Sequence, residues 1–430
     1  MPMRRPSLVR CATAILPLFL LSAATVERRA PTGPLAELRL VPSPAPAGSA
    51  EPHLATSPDG VVWMSWLEQR ANGGHALRGA RMEKGRWTSP FTIAEGDSFF
   101  ANWADFPTLL PRGGDHLVAH YLWKTGGGTY AYEVRLTQSS DRGRTWSKPV
   151  VPHRDGTPTE HGFVSLLPSG DGTRAVWLDG RKAVRDSAGH QLPVPEGTAE
   201  MTLRTTVLSA DGTLTDEWEL DPRVCDCCQT AAVATPGGAL VAYRDRSAEE
   251  IRDISLTRME NGRWSEPYPL HADGWTIAGC PVNGPALAAA KDRVAAAWFT
   301  GARDTSRVWV AFSDDGGARF GAPVRVDEGD PLGRAHVVLL PGGDALVGWL
   351  EARGKEALFQ VRRVAGDGRA GPVMTVARTA TARSSGFPRI ARAGDQVIIA
   401  WTEAGKPSQV RTAIARVAPG ARSGAPSPGR

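Results

Sequence analysis

Cys225, Cys227 and Cys228 fall within four residues of one another, and Cys280 follows further along. In an oxidising compartment such a run reads first as a disulfide framework, with Cys280 bridging to the cluster and stabilising the fold by ~2–4 kcal/mol. A soft-metal site completed by His161 and His336, and a redox-active thiol pair, stay open as other readings. Because Cys-x-Cys-Cys lacks the paired Cys-x-x-Cys spacing of zinc sites, neither a metal nor a cofactor is expected. For acid–base work the candidates are Asp105, Glu160 and Asp226, since cleaving a glycosidic bond requires two carboxyl groups beside it. His161, Arg181, Arg244, Arg246, Asn283, Arg334, His336 and Arg389 are candidate ligand-binding residues. Arg244 and Arg246 lead among them, because a guanidinium fork grips a carboxylate with two parallel bonds.

These residues are far apart in the chain, so something must gather them. A turn followed by an apolar run ending in an aromatic residue recurs seven times, closing on Trp66, Tyr121, Trp177, Tyr243, Trp298, Trp349 and Trp401. The intervals run from 51 to 66 residues, a period too steady for chance. Each unit adds a short apolar run before the turn and two β-type runs after the aromatic, and helical periodicity is absent throughout. Four strands per unit at a period near 50 residues predict an all-β fold, a β-propeller of four-stranded blades. Seven blades are expected, with six and a degenerate unit as the alternative. The seventh unit lacks a fourth strand of its own, and residues 35–41 can supply it, closing the ring and removing an open sheet edge.

The working face follows from strand direction. The starts of the innermost strands and the loops after the terminal aromatics share one face, where Asp105, Glu160, the cysteine cluster, Asn283, Arg334, His336 and Arg389 all come to the channel mouth. Only five tyrosines are present: Tyr121 and Tyr243 belong to the framework, while Tyr130, Tyr132 and Tyr268 fall in third or fourth strands.

Ser139-x-Asp141-x-Gly143-x-Thr145-Trp146 and Ser313-x-Asp315-x-Gly317-x-x-Phe320 form a repeated turn box between third and fourth strands. Asp accepts backbone N–H bonds in such a turn, Gly supplies positive φ and the aromatic plugs the blade. The boxes resemble the Asp-box (BNR) repeats of the sialidase superfamily, and the resemblance spans roughly residues 50 to 417. It implies a sialidase-like propeller with a glycan site at the channel mouth. That family holds its substrate's carboxylate with three Arg, one of them in a Phe-Arg-Ile-Pro run, and uses a late-blade Tyr nucleophile. The nearest runs here place Asp105 and Gly386 where that Arg would stand, and no Tyr follows Tyr268. The resemblance therefore implies recognition of a polar or anionic ligand, with hydrolysis by non-standard carboxylates as the alternative.

Residues 1–24 have the layout of a cleaved leader: a basic start, an apolar run too short to span a membrane, and small residues at Ser22-Ala23-Ala24. A secreted or periplasmic chain is expected, with residues 25–50 as an N-terminal segment, 51–417 as the propeller and 418–430 as a loose tail. The formal net charge of +5 falls to +2 without the three Arg of the first ten residues, which argues against a nucleic-acid partner. The expected partner is a glycan or other polar small ligand, met by a monomer without a membrane span.

Overall fold

Seven antiparallel sheets are strung along the chain, six built from consecutive strands and the seventh completed by the N-terminal strand. The computed structural model describes Met1 and residues 33–126, 128–183 and 200–419. The expected leader, most of the tail and most of the long loop after Asp179 lie outside the described residues. Blade 1 opens with Ser49–Thr56 and Val62–Gln69, blade 2 with Thr108–Gly113 and His116–Lys124, and blade 3 with His161–Ser169 and Gly172–Asp179. Blades 4 to 6 open with Ala231–Thr235, Ala286–Ala290 and Pro331–Leu339. Blade 7 runs from Arg389–Ala393 through Gln396–Glu403 to Gln409–Val417. Two three-residue 3-10 turns are the only helical elements among the described residues.

The second strand of each blade is buried on both faces, because every blade is sandwiched between two others. That explains why Val62–Gln69 and Ala345–Arg353 read as continuous apolar runs rather than alternating ones. Seven clusters of buried side chains result, each drawn chiefly from two adjacent blades. An open stack of seven blades would have six such interfaces. The seventh packs Ile398, Ala400 and Ile414 of blade 7 against Leu54, Met64 and Trp66 of blade 1, so the ring is closed. Leu35–Val41 completes blade 7 as its outer strand, pairing antiparallel with Gln409–Val417 from Leu35 opposite Val417 to Val41 opposite Thr412. The fold is thus a seven-bladed propeller, and the six-blade alternative falls away.

The two boxes are built alike on the face opposite the mouth. Asp141 Oδ1 accepts from the Thr145 backbone N–H at 2.9 Å, and Ser139 Oγ accepts from Gly143 N–H at 2.8 Å. Asp315 and Ser313 repeat the pattern with Arg319 and Gly317, each at 2.9 Å. Gly143 has φ of 85°, and a Cβ there would stand 2.6 Å from the Phe91 ring, so both conformation and space require glycine.

A second recurrent device ties blades to the mouth. The indoles of Trp66, Trp177 and Trp349 each donate to the acid two residues on: Glu68 at 3.1 Å, Asp179 at 2.8 Å and Glu351 at 2.5 Å. Trp349→Phe should leave the buried Glu351 carboxyl without that donor and cost about 1–3 kcal/mol. An unchanged urea midpoint in the variant would remove the device from the list of stabilising contacts.

Candidate functional site

The seven innermost strands surround a central cavity of about 460 Å³. At its mouth the strand starts bring together three groups from two blades. The Tyr132 phenol lies 3.0 Å from Asp105 Oδ2 and 2.7 Å from Glu160 Oε1, so those two oxygens are at most 5.7 Å apart, the sum of the two bonds. Asp105 Oδ1 also accepts from Phe163 N–H at 2.7 Å. One phenolic proton cannot serve both carboxylates, so simultaneous bonding requires a second proton on one of the acids.

Burial supplies the reason for that proton to stay. Desolvation pushes Asp105 up to about 7 and Glu160 up to about 8, against the opposing effect of their hydrogen bonds. Burial, reinforced by both neighbouring carboxyls, raises the Tyr132 phenol well above its usual range. Glu51 joins the group: burial and then the nearby Asp105 raise its carboxyl well above the ordinary value, and its Oε2 has no partner among the described residues. Tyr132 and Asp105 are each only 1% exposed, whereas Glu160 is half-buried. Gly162 is the position that lets the network close, since a Cβ there would sit 1.9 Å from Asp105 Oδ2.

Below the acids the channel carries a cation. Arg389 stacks 4.2 Å over the Phe106 ring, and its Nε and Nη2 are sealed from solvent without a hydrogen-bond partner among the described residues. Burial lowers the guanidinium to about 9. His336 and His53 adjoin it, both driven toward the neutral form by burial and then by Arg389, His336 to about 3. Trp103 stacks on Phe387 at 5.9 Å between ring centres and takes Arg334 on its face at 4.9 Å, giving the mouth an aromatic plate.

Several residues expected to bind ligand are instead committed to the scaffold. Arg244 is 1% exposed and donates to the carbonyls of Asn283, Arg252 and Phe299; it locks blade 4 to blade 5 and has no edge left for an anion. Arg246 is held by Glu250 at 2.7 Å, with Asp226 at 3.4 Å beside it. Arg181 grips Asp179 with two bonds of 2.8 Å. Asn283 Oδ1 accepts from Arg334 N–H at 2.6 Å, and Arg334 itself donates to Gly386 O at 3.0 Å. His161 is buried, 3.2 Å from Asp155 and stacked on His153 at 3.6 Å, so neither it nor His336 joins the cysteines. Cys225, Cys227, Cys228 and Cys280 are all free thiols, which corrects the expected inter-blade disulfide. Tyr132, which the sequence reading assigned only to a strand, stands at the centre of the acid network.

The geometry defines a seven-bladed propeller with an acid network at its mouth. Neither a family model nor a curated protein matches this sequence. Solved structures do. The polysaccharide lyase Uly1 is similar with TM-score 0.50 and 8% identity, covering 87% of this chain and 91% of that one. An α-L-arabinofuranosidase of Fusarium graminearum aligns at TM-score 0.45 and 13% identity, over 89% and 97%. A mutant of Trypanosoma rangeli sialidase aligns at TM-score 0.43 and 13% identity, over 78% and 56%. At these identities the likeness is one of fold.

Proposed function

We propose that the propeller receives an anionic sugar at the channel mouth and cleaves its glycosidic bond by acid catalysis. The observation that carries this reading is the Tyr132 phenol shared between Asp105 and Glu160, which keeps a proton on the acid pair near neutral pH. Glu160, the accessible member, is the general acid: as the bond to the leaving oxygen breaks, its proton passes to that oxygen, and the water that attacks the sugar carbon gives up a proton that restores the Glu160 carboxyl. Asp105 and Tyr132 are positioning residues that hold the Glu160 carboxyl and its proton. Arg389 supplies the charge that selects a carboxylate or sulfate on the ligand.

A panel of neutral, uronic and sulfated oligosaccharides, scored separately for binding and for release of reducing ends, tests this directly. Acid-bearing members should bind and be cleaved, and Arg389→Met should weaken binding roughly tenfold to a hundredfold while raising thermal stability, because an unpartnered buried guanidinium is costly. Equal binding of neutral and acidic sugars would overturn the anion assignment. Binding without release would leave a recognition propeller and remove the catalytic role.

A further inference from the structure

The turn that enters blade 4 folds three sulfurs toward one point. Cys225 Sγ lies 3.3 Å from Cys228 Sγ and 3.9 Å from Cys227 Sγ, and all three fall within 4.8 Å of one another. Cys225 and Cys228 are buried and Cys227 is half-buried. Cys280, at the start of blade 5, stands beside Cys227. A disulfide needs a sulfur separation of about 2.05 Å, and these distances are well beyond it. Thiolates bound tetrahedrally to zinc at ~2.3 Å sit about 3.8 Å apart, and the separations of 3.3 and 3.9 Å fall on either side of that value. The thiolate form that ligation needs is favoured electrostatically. Arg252 Nη1 donates to Cys225 Sγ at 3.4 Å and offsets part of the negative charge that three thiolates would bring. The one acid within the run, Asp226, turns instead to Arg246, leaving the centre to sulfur alone.

We propose that Cys225, Cys227 and Cys228 form a thiolate site for a thiophilic closed-shell cation, Cu(I) or Zn(II), with Cys280 as a fourth sulfur. Soft sulfur donors select these ions over magnesium or calcium. On binding, each ligating S–H bond is replaced by a sulfur–metal bond and its proton passes to solvent, with no change in oxidation state. Cys227→Cys228 neighbours cannot be bridged without strain, so the run has a use for all three thiols in a metal site that a single disulfide would not provide. Neither proposal requires the other, although Asp226 and Cys280 lie near enough to the acid network to raise the Glu160 carboxyl.

The full chain, reduced and freed of metal without oxygen, is titrated in two arms: Cu(I) against a chromophoric Cu(I) chelator, and Zn(II) against a chromophoric zinc chelator. Thiols are counted by disulfide reagent before and after. About one equivalent should bind in at least one arm with at least three thiols masked, and the arm that wins identifies the ion. Cys228→Ser should fall below ~0.1 equivalent. Cys227→Ser, at a half-buried position where the fold tolerates the change, should do the same, and circular dichroism separates metal loss from unfolding. Cys280→Ser should weaken binding, and an unchanged affinity would remove the fourth sulfur and leave a three-thiolate site. Wild-type uptake below ~0.1 equivalent in both arms with all five thiols of the chain reactive overturns the proposal. So does a purified chain whose cluster is already a disulfide and takes no metal after reduction.

Discussion

Removal of residues 33–41 is expected to abolish cooperative folding of the ring and drive the chain into aggregates. Among the described residues, Leu35–Val41 is the only strand paired with the outer edge of Gln409–Val417. Without it a nine-residue strand presents unpaired backbone N–H and C=O groups, a template for pairing with other chains. The deletion also strips Leu35 and Val41, 3% and 5% exposed, from the interfaces that blade 7 makes with blades 6 and 1. Burial of two such side chains is worth roughly 3–6 kcal/mol, comparable with the whole net stability of a typical domain, about 5–15 kcal/mol. Size-exclusion chromatography and urea unfolding check the outcome. Moving the same segment to follow Val417 through a short linker should restore the monomer, since the strand needs its edge and not its place in the chain. A truncated chain that stays monomeric with the wild-type midpoint would show that closure depends on the blade 7–blade 1 core alone.

That strand was legible because the aromatic period left blade 7 one strand short, and the segment before blade 1 had no other use. The blades were legible for a related reason. A terminal Trp or Tyr must fill the gap between wedges, and the Asp-box turn needs Asp, Gly and an aromatic in fixed order. The site was less so. Tyr132 meets Asp105 and Glu160 at separations of 27 and 28 residues, set by how one blade abuts the next, and a strand-start tyrosine carries no local mark of that. Arg244 was misread because its type suits anions, while the carbonyls of Asn283 and Phe299 that consume it come from the following blade. One signal was available and unused. Trp66, Trp177 and Trp349 are each followed two positions later by an acid, a spacing that puts both on one face of a strand. It marks Glu68, Asp179 and Glu351 as scaffold rather than catalytic groups.

The acid network makes opposite demands on stability and turnover, and Glu160→Gln should expose both. Glu160 and Asp105 hold their protons to about 8 and about 7 in the fold, against ordinary values of 4.5 and 3.8. Below the ordinary values both folded and unfolded chains are protonated and nothing is lost. As pH rises from there toward 8, the unfolded chain releases protons that the folded one retains, so stability falls through that window and levels above it. Glu160→Gln removes its share of the slope: the variant should equal wild type near pH 4 and exceed it in thermal midpoint near pH 8. Turnover should move the other way, falling by about 10²–10⁴ because no proton reaches the leaving oxygen. Wild-type activity should itself decline as pH passes about 8, where Glu160 ionises. Tyr132→Phe, which keeps the acid but frees it from the phenol, should retain part of the turnover with that alkaline limb displaced. A Glu160→Gln protein with undiminished turnover, or with the wild-type dependence of midpoint on pH, would place the working proton elsewhere on the rim.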